Sequence, residues 1–206
     1  ILVLITTYFL KRDLKIYRCD MKWFVVFTIV DATFFQLFLT YGISKTGAGL
    51  GSVLIDSQPL LVALLARAIF GNLINPIGWL GLLFGLGGIV FLGFPQEFLE
   101  KWWLMSDTNL GDIKFNIGEA WMLAAALAMA LGTILIRLTC KKSDPVAVTG
   151  WHMIFGSFPL IIKYSFETNL QSFPSWSLNE WGLMSFASIF GGAIAYGLFF
   201  YFANNK

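Results

Sequence analysis

Two carboxylates and one imidazole lie inside long apolar stretches of the sequence. Asp31 interrupts the stretch Trp23–Ile43. Asp56 interrupts the stretch Gly47–Phe70, and His152, the only histidine of the chain, lies about two turns into another. Desolvation disfavours the charged form of a carboxyl group, and histidine changes protonation near neutral pH. These groups therefore predict a site that binds a proton or a cation, or that contacts a polar substrate.

Each of these groups also has a structural interpretation, which the sequence leaves open. Ser52, Ser57 and Gln58 share the helical turns around Asp56 and could bond its carboxyl group. A lone histidine in a membrane helix is often a hydrogen-bonded packing residue. Gln36 follows Asp31 by five residues, roughly 140° around a helix, so the two side chains need not share a face.

The residues around Asp56 and His152 extend this candidate site. Pro59 removes one backbone N–H and frees a carbonyl, and such a break is tolerated in lipid where it faces protein or a water-filled cavity. Asp56-Ser57-Gln58-Pro59 is therefore predicted to be a kinked polar element that contacts substrate, or else a packing kink. Trp151, beside His152, could stack on an organic substrate or simply pack.

The elements that must position these residues are membrane helices. Of the 206 residues, 57% are hydrophobic and 13% charged, about half the charge of an ordinary soluble domain. Twenty-one Phe and eight Trp exclude a disordered chain, and a net charge of +2 without an extended basic face excludes a nucleic-acid binder. The composition predicts a polytopic membrane protein whose lipid-facing surface is apolar.

The apolar runs predict one partial and six complete spans of about 20 residues each. They lack the period-2 alternation of a membrane barrel, so the predicted fold class is all-α, a polytopic transmembrane helix bundle. The predicted spans are Ile1–Leu10 (partial), Trp23–Ile43, Gly47–Phe70, Pro76–Phe94, Ile117–Thr139, Pro145–Ile162 and Trp181–Phe202.

The distribution of basic residues predicts the orientation. The loop Lys11–Lys22 holds five basic residues against two acidic ones, which places it in the cytoplasm. Alternation of the spans then puts ten of the fourteen basic residues on that side. The loop 96–116 falls on the opposite, extracytoplasmic side.

The chain also contains a weak internal repeat. Phe38–Lys45 resembles Phe199–Lys206 at an offset of 161 residues, and Trp23 corresponds to Trp181 at an offset of 158. The two copies lie five spans apart and therefore cross the membrane in opposite directions. Inverted repeats of this kind are typical of secondary transporters. The duplication predicts that the chain is a fragment of a ten-helix protein.

Four motifs of the chain can be compared with known membrane families. They are Val30-Asp-Ala-Thr-Phe-Phe-Gln36, Gly47-Ala-Gly-Leu-Gly-Ser-Val-Leu-Ile-Asp-Ser-Gln-Pro-Leu60, Gly118-Glu-Ala-Trp121 and Ser143-Asp-Pro-Val-Ala-Val-Thr-Gly-Trp-His-Met153. These motifs resemble the EamA-type branch of the drug/metabolite transporter superfamily. Within that branch, the likeness is to the plant chloroplast "walls are thin"-related group and its cyanobacterial relatives. The resemblance implies two inverted five-helix halves, cytoplasmic termini and a central substrate cavity.

On this basis residues 1–95 are predicted to form the first repeat, with a partial helix 2 and helices 3–5. Residues 117–206 are predicted to form helices 6–8 of the second repeat, whose last two helices are missing. The predicted localisation is multi-pass in a bacterial or cyanobacterial inner membrane or in the chloroplast envelope.

The predicted function is secondary transport of a small organic metabolite by alternating access, with protons as a candidate coupling ion. The alternative is a non-transporting integral membrane subunit or assembly factor. No nucleophile, cofactor motif or metal-ligand cluster stands out in the sequence, so neither an enzyme nor a cofactor or metal is predicted, and the sequence does not indicate an oligomeric state. The candidate residues of the substrate and coupling pathway are Asp31, Gln36, Asp56, Ser57, Gln58, Pro59, Trp151 and His152.

Overall fold

The computed structural model describes residues 1–71, 73–93, 117–167 and 176–205, and every regular element in these ranges is a helix. The predicted loop 96–116 lies outside the described residues. The helices are α1 (Leu2–Phe9), α2 (Met21–Thr46), α3 (Ala48–Ile55), α4 (Gln58–Phe70), α5 (Pro76–Gly93), α6 (Ile117–Thr139), α7 (Pro145–Glu167) and α8, which consists of the segments Leu178–Phe186, Ala187–Ala195 and Tyr196–Asn205.

The predicted all-α fold is confirmed, and five helices are long and apolar enough to cross a membrane. The apolar part of α5, Pro76–Ile89, is shorter than these five. The spanning candidates are Met21–Thr46, Gly49–Phe70, Ile117–Thr139, Pro145–Phe166 and Leu178–Asn204.

Local sequence signals fix where several helices begin and end. Gly47 and Gly71 have φ values of +80° and +69°, a backbone conformation that glycine adopts without steric cost, and they end α2 and α4. α8 begins at Leu178, three residues before the predicted Trp181, because Ser177 and Glu180 form a capping box. The Ser177 backbone N–H donates to Glu180 Oε2 at 2.7 Å.

Two of the long helices contain a wider, π-helical stretch. In α2 this stretch is Thr28–Phe34, between the α-helical segments Met21–Phe27 and Phe35–Thr46. In α8 it is Ala187–Ala195. π-Helical turns are rare and occur frequently at functional sites. Both stretches therefore mark the middle of their helices as candidate functional regions.

The described chain divides into two compact units. The first contains residues 1–33 and 132–206, and the second contains residues 34–131. The core of the first unit is a cluster of buried side chains from α2, α6, α7 and α8. Its members are Phe24, Phe27, Ile136, Val148 and Phe200.

In the second unit, close packing depends on a glycine. Gly42 of α2 lies against Met122 of α6, and a Cβ built on Gly42 would overlap the Met122 side chain. The ring of Trp121 lies 5.3 Å from that of Phe38 and 6.0 Å from that of Tyr41. Small residues let membrane helices approach closely in this way.

Candidate functional site

Asp31 lies at the centre of the π-helical stretch of α2 and is fully buried. It is roughly 15 Å along a helix about 39 Å long, at 1.5 Å per residue over the 26 residues of the span. This places the carboxyl group inside the hydrocarbon region if α2 crosses the bilayer. A charge at such a depth is costly unless it has a partner.

The partner of Asp31 is His152 of α7. His152 Nε2 lies 3.1 Å from Asp31 Oδ2, and the histidine side chain is only 1% exposed. On the other side of the ring, Nδ1 lies 2.6 Å from the carbonyl oxygen of Thr149, three residues earlier in α7. Both ring nitrogens of the imidazole therefore make hydrogen bonds.

Aromatic rings surround this pair within the first unit. The ring centroid of Phe27 lies 4.4 Å from that of His152, and the Phe200 ring stands edge-on to the imidazole at 5.6 Å. Tyr196 of α8 stacks on the imidazole with its centroid at 6.5 Å. Phe27 and Phe200 are fully buried, so the pair lies in an apolar, low-dielectric surrounding.

Room for the Asp31 side chain is provided by Gly132 of α6. A Cβ built on Gly132 would overlap Asp31 Oδ1 and would lie 2.6 Å from Asp31 Cγ and 2.8 Å from Asp31 Cβ. Any larger residue at position 132 would have to displace Asp31. α7 approaches in the same manner through Gly156, whose carbonyl accepts a hydrogen bond of 3.1 Å from Thr33 Oγ1.

Two polar atoms near the pair are buried without a hydrogen bond to the residues that the structure describes. They are Asp31 Oδ1 and the hydroxyl of Tyr196. Tyr196 also interacts electrostatically with Asp31. Unpaired buried polar atoms are uncommon in native structures, so these two distinguish the surroundings of Asp31 from an ordinary packed core.

The Asp56-Ser57-Gln58-Pro59 motif lies in the second unit, where it separates α3 from α4. The α3 helix ends at Ile55, and Pro59 occupies the first turn of α4, where its missing N–H costs little. Asp56 and Pro59 are exposed, whereas Ser57 and Gln58 are buried. The hydroxyl of Ser57 makes no hydrogen bond within the described ranges.

The two remaining candidates have separate surroundings. Gln36 is exposed on the second-unit part of α2. Trp151 is half-buried on α7, where its indole N–H donates to the carbonyl of Leu14 at 3.0 Å and its ring stacks on Phe155 at 5.7 Å. Since its donor is already used to hold the chain before α2, Trp151 has a structural contact alongside any role in binding.

A polar cluster that the sequence analysis did not single out joins two loops of the first unit. Asp20 is fully buried. Its Oδ2 accepts hydrogen bonds from the backbone N–H groups of Lys142 and Ser143, at 3.0 and 2.9 Å, and from the Ser143 hydroxyl at 2.8 Å. Burial alone would raise the pKa of Asp20, but the bonds from Ser143 and Lys142 outweigh it and lower the pKa.

Arg12 adds an ion pair to this loop cluster. Its Nη1 lies 3.0 Å from Asp144 Oδ2, and its guanidinium lies over the Tyr201 ring at 5.0 Å from the centroid. Tyr201 and Asp144 both help to raise the pKa of Arg12. The sequence offered one signal for this loop cluster. Ser143 and Asp144 directly precede Pro145, a pattern typical of a helix N-terminus, where such side chains bond backbone N–H groups.

No group of three or more His, Cys, Asp or Glu side chains able to hold a metal ion occurs in the part of the chain that the structure describes. The arrangement around Asp31 is instead an acid and a base that face each other in an apolar core. Such a pair can hold or release a proton without any cofactor.

Five apolar helices of membrane-spanning length define a multi-pass integral membrane protein. The family comparison agrees with this class. The model of the EamA-like transporter family matches residues 1–94 and 116–205, and the chain belongs to that family.

Similar proteins come from cyanobacteria, plants and other bacteria. An uncharacterized transporter of Synechocystis sp. is 46% identical over 185 residues, which cover 88% of this chain and 56% of that protein. A chloroplastic WAT1-related protein of Arabidopsis thaliana is 43% identical over 189 residues, which cover 88% of this chain and 43% of that protein. An uncharacterized transporter of Bacillus subtilis is 25% identical over 183 residues, or 85% of this chain and 58% of that protein.

The chain thus spans about half the length of the curated relatives that it matches. The predicted family resemblance is confirmed, including its cyanobacterial and chloroplast branch. No solved structure matches the chain significantly.

Proposed function

We propose that the chain is part of a secondary transporter that moves a small organic metabolite by alternating access and couples this movement to protons. The observation that carries the proposal is the buried Asp31–His152 pair in the π-helical stretch of a membrane-length helix. Protons and the metabolite are the proposed partners, together with the lipid bilayer around the helices.

The energetics of the pair support a functional role. A charged residue near mid-bilayer costs at least about 2.5–3.5 kcal/mol on insertion scales. A buried ion pair can often be replaced by apolar residues of similar volume with no loss of stability, because desolvation offsets the attraction. An acid–base pair in the apolar core of the first unit is therefore better explained by proton binding than by stability.

The break between α3 and α4 supports the substrate half of the proposal. Discontinuous membrane helices place polar backbone and side chains where transporters bind substrates and ions. Here the break occurs within the Gly49–Phe70 span, so Asp56, Ser57 and Gln58 lie part-way along the span rather than at either end. We assign these residues and Pro59, with Gln36 and Trp151, as candidate substrate contacts.

The test uses the full-length protein in liposomes that enclose a pH-sensitive dye. Amino acids, organic acids and amphiphilic amines are added outside one at a time. We expect substrate-dependent proton movement in the wild type and its loss in Asp31→Asn, which keeps the size of the side chain but cannot release a proton. Asp13→Asn is the matched control because Asp13 is exposed in a loop.

The outcomes separate the parts of the proposal. Proton movement that survives in Asp31→Asn and disappears in Asp56→Asn would move the coupling site to Asp56. Substrate uptake without proton movement would retain the transporter and remove the coupling.

One observation favours the alternative of a non-transporting membrane subunit. The surroundings of Asp31 and His152 are densely packed with Phe27 and Phe200, as expected for a structural centre. If a correctly folded protein gave neither substrate uptake nor proton movement with any compound of the panel, this alternative would be favoured.

A further inference from the structure

The hydrogen bonds around His152 determine where its protons are. A carbonyl oxygen can only accept a hydrogen bond, and Thr149 O lies 2.6 Å from His152 Nδ1. Nδ1 must therefore carry a hydrogen, an assignment made from the hydrogen-bond network. The neutral form of His152 then has a bare Nε2, which can only accept.

This assignment limits the number of protons between His152 and Asp31. Nε2 and Asp31 Oδ2 are 3.1 Å apart, a hydrogen-bond distance that needs one hydrogen between the two atoms. With that hydrogen on Oδ2, a neutral carboxylic acid donates to a neutral imidazole. With it on Nε2, an imidazolium donates to a carboxylate, and the pair has no net charge in either case.

The alternatives with no proton or two protons are disfavoured by the surroundings. Without the proton, two lone pairs face each other and a net negative charge remains among Phe27 and Phe200. With two protons, an imidazolium faces a neutral acid, and a net positive charge remains in the same apolar surroundings. The one other titratable group facing the pair from the described parts of α6, α7 and α8 is Tyr196, a neutral phenol whose hydroxyl is buried.

We propose that Asp31 and His152 together bind a single proton, shared between Oδ2 and Nε2, and that this is the proton the transporter exchanges with water once per cycle. The second part rests on the proposed function; the first does not. Because the pair is neutral only when it is loaded, unloading it in the apolar core is unfavourable. Release of the proton therefore requires a conformation in which water or a substrate cation reaches Asp31.

The first part is tested by ¹⁵N NMR of histidine-labelled full-length protein in phospholipid nanodiscs. His152 is assigned by the signals that disappear in His152→Gln. We expect Nδ1 to be protonated between roughly pH 6 and pH 8, the range around the ordinary histidine pKa. A neutral ring with a bare Nδ1 and a hydrogen on Nε2 would overturn the shared proton.

Asp31→Asn provides the matched variant in the same NMR experiment. The Asn amide N–H can donate to Nε2, so the variant imitates the acid form and should keep His152 neutral with its hydrogen on Nδ1. If His152 in this variant instead becomes an imidazolium in that pH range, the ring binds the proton without the Asp31 carboxylate, so the proton does not belong to the pair and the proposal fails.

The second part is tested in the liposome assay by a double-variant comparison. If one proton belongs to the pair, Asp31→Asn and His152→Gln each reduce proton movement to the level of protein-free liposomes. The double variant then shows the same level of proton movement as either single variant. Either single variant retaining wild-type proton movement would overturn the role in transport. The NMR result would still decide whether the proton is shared, even if the wild type moved no proton.

Discussion

At the scale of single residues, the Asp31–His152 pair depends on the absence of a side chain at one neighbour and on the backbone of another. Gly132 has no side chain, and the Asp31 carboxyl group occupies the space that a Cβ would fill. Thr149 supplies a backbone carbonyl, which fixes the orientation of the His152 ring and its Nδ1–H. The geometry of this acid–base pair is therefore set by three residues on α6 and α7 as much as by Asp31 itself.

A methyl group at Gly132 should disrupt the pair. We expect Gly132→Ala to displace Asp31 from His152 and to destabilise the protein by about 1–3 kcal/mol, as overpacking of a filled core does. Thermal unfolding of the full-length protein in detergent measures the loss. Gly81→Ala on α5 is the control, because a Cβ there meets no atom within 4 Å and alanine favours a helix. Equal melting temperatures for Gly132→Ala and wild type would contradict the close packing of Asp31 against Gly132.

At the scale of elements, the π-helical stretches occupy corresponding places in α2 and α8. Thr28 precedes Ala187 by 159 residues, and Phe34 precedes Ala195 by 161. Both separations fall within the offsets of 158 and 161 that the sequence repeat predicts. A shared irregularity at the same place supports the interpretation that α2 and α8 are copies of one ancestral helix, although only α2 carries a carboxylate there.

The loop cluster around Asp20 should contribute to stability in a pH-dependent way. Asp20→Ala leaves the buried N–H and hydroxyl of Ser143 and the part-buried N–H of Lys142 without their acceptor, which we expect to cost about 3 kcal/mol. The folded protein lowers the pKa of Asp20, so this contribution is fully present above the ordinary carboxyl pKa of about 3.9 and is lost as the pH falls through the lower folded value.

Melting temperatures of wild type and Asp20→Ala across this pH range check the prediction. The difference should be large at neutral pH and should shrink in acid. Asp13→Asn, in the same loop but exposed, should melt like the wild type at neutral pH. A difference between Asp20→Ala and wild type that stays constant from neutral pH into acid would show that the carboxylate charge is not involved.

The sequence predicted the helices well because the bilayer sets their length, and an uncharged run of about 20 residues is a strong signal. It predicted a kink over Asp56-Ser57-Gln58-Pro59, and the helix is interrupted within this motif, at Asp56 and Ser57, with Pro59 in the first turn of α4. The Asp31–His152 contact had no such signal, because the residues are 121 positions apart and only the packing of α2 on α7 brings them together. The π-helical stretches were also missed, since residue composition does not distinguish a π-helical turn from an α-helical turn in a membrane helix.

At the scale of the whole molecule, the loop cluster constrains the topology. Asp20 and Ser143 are bonded to each other, so the loops before α2 and before α7 must lie on the same side of the membrane. Four predicted spans separate these loops, an even number that returns the chain to the same side. The basic residues of the loop Lys11–Lys22 predict that this side is cytoplasmic.

The two cysteines allow the orientation to be measured, because both lie in this loop cluster. Cys19 is exposed, whereas Cys140 is half-buried, and burial together with the Asp20 and Asp144 carboxylates raises the pKa of its thiol. In full-length protein with Cys19 as the single cysteine, we expect a membrane-impermeant maleimide to react in inside-out vesicles and not in right-side-out vesicles. With Cys140 as the single cysteine, reaction from the same side should be much slower at about pH 8, since the thiolate is the reactive form. Reaction of Cys19 in right-side-out vesicles would show that the topology is the reverse, with the Asp20 cluster on the outer face. Equal reaction rates for the two thiols would show that Cys140 is not shielded.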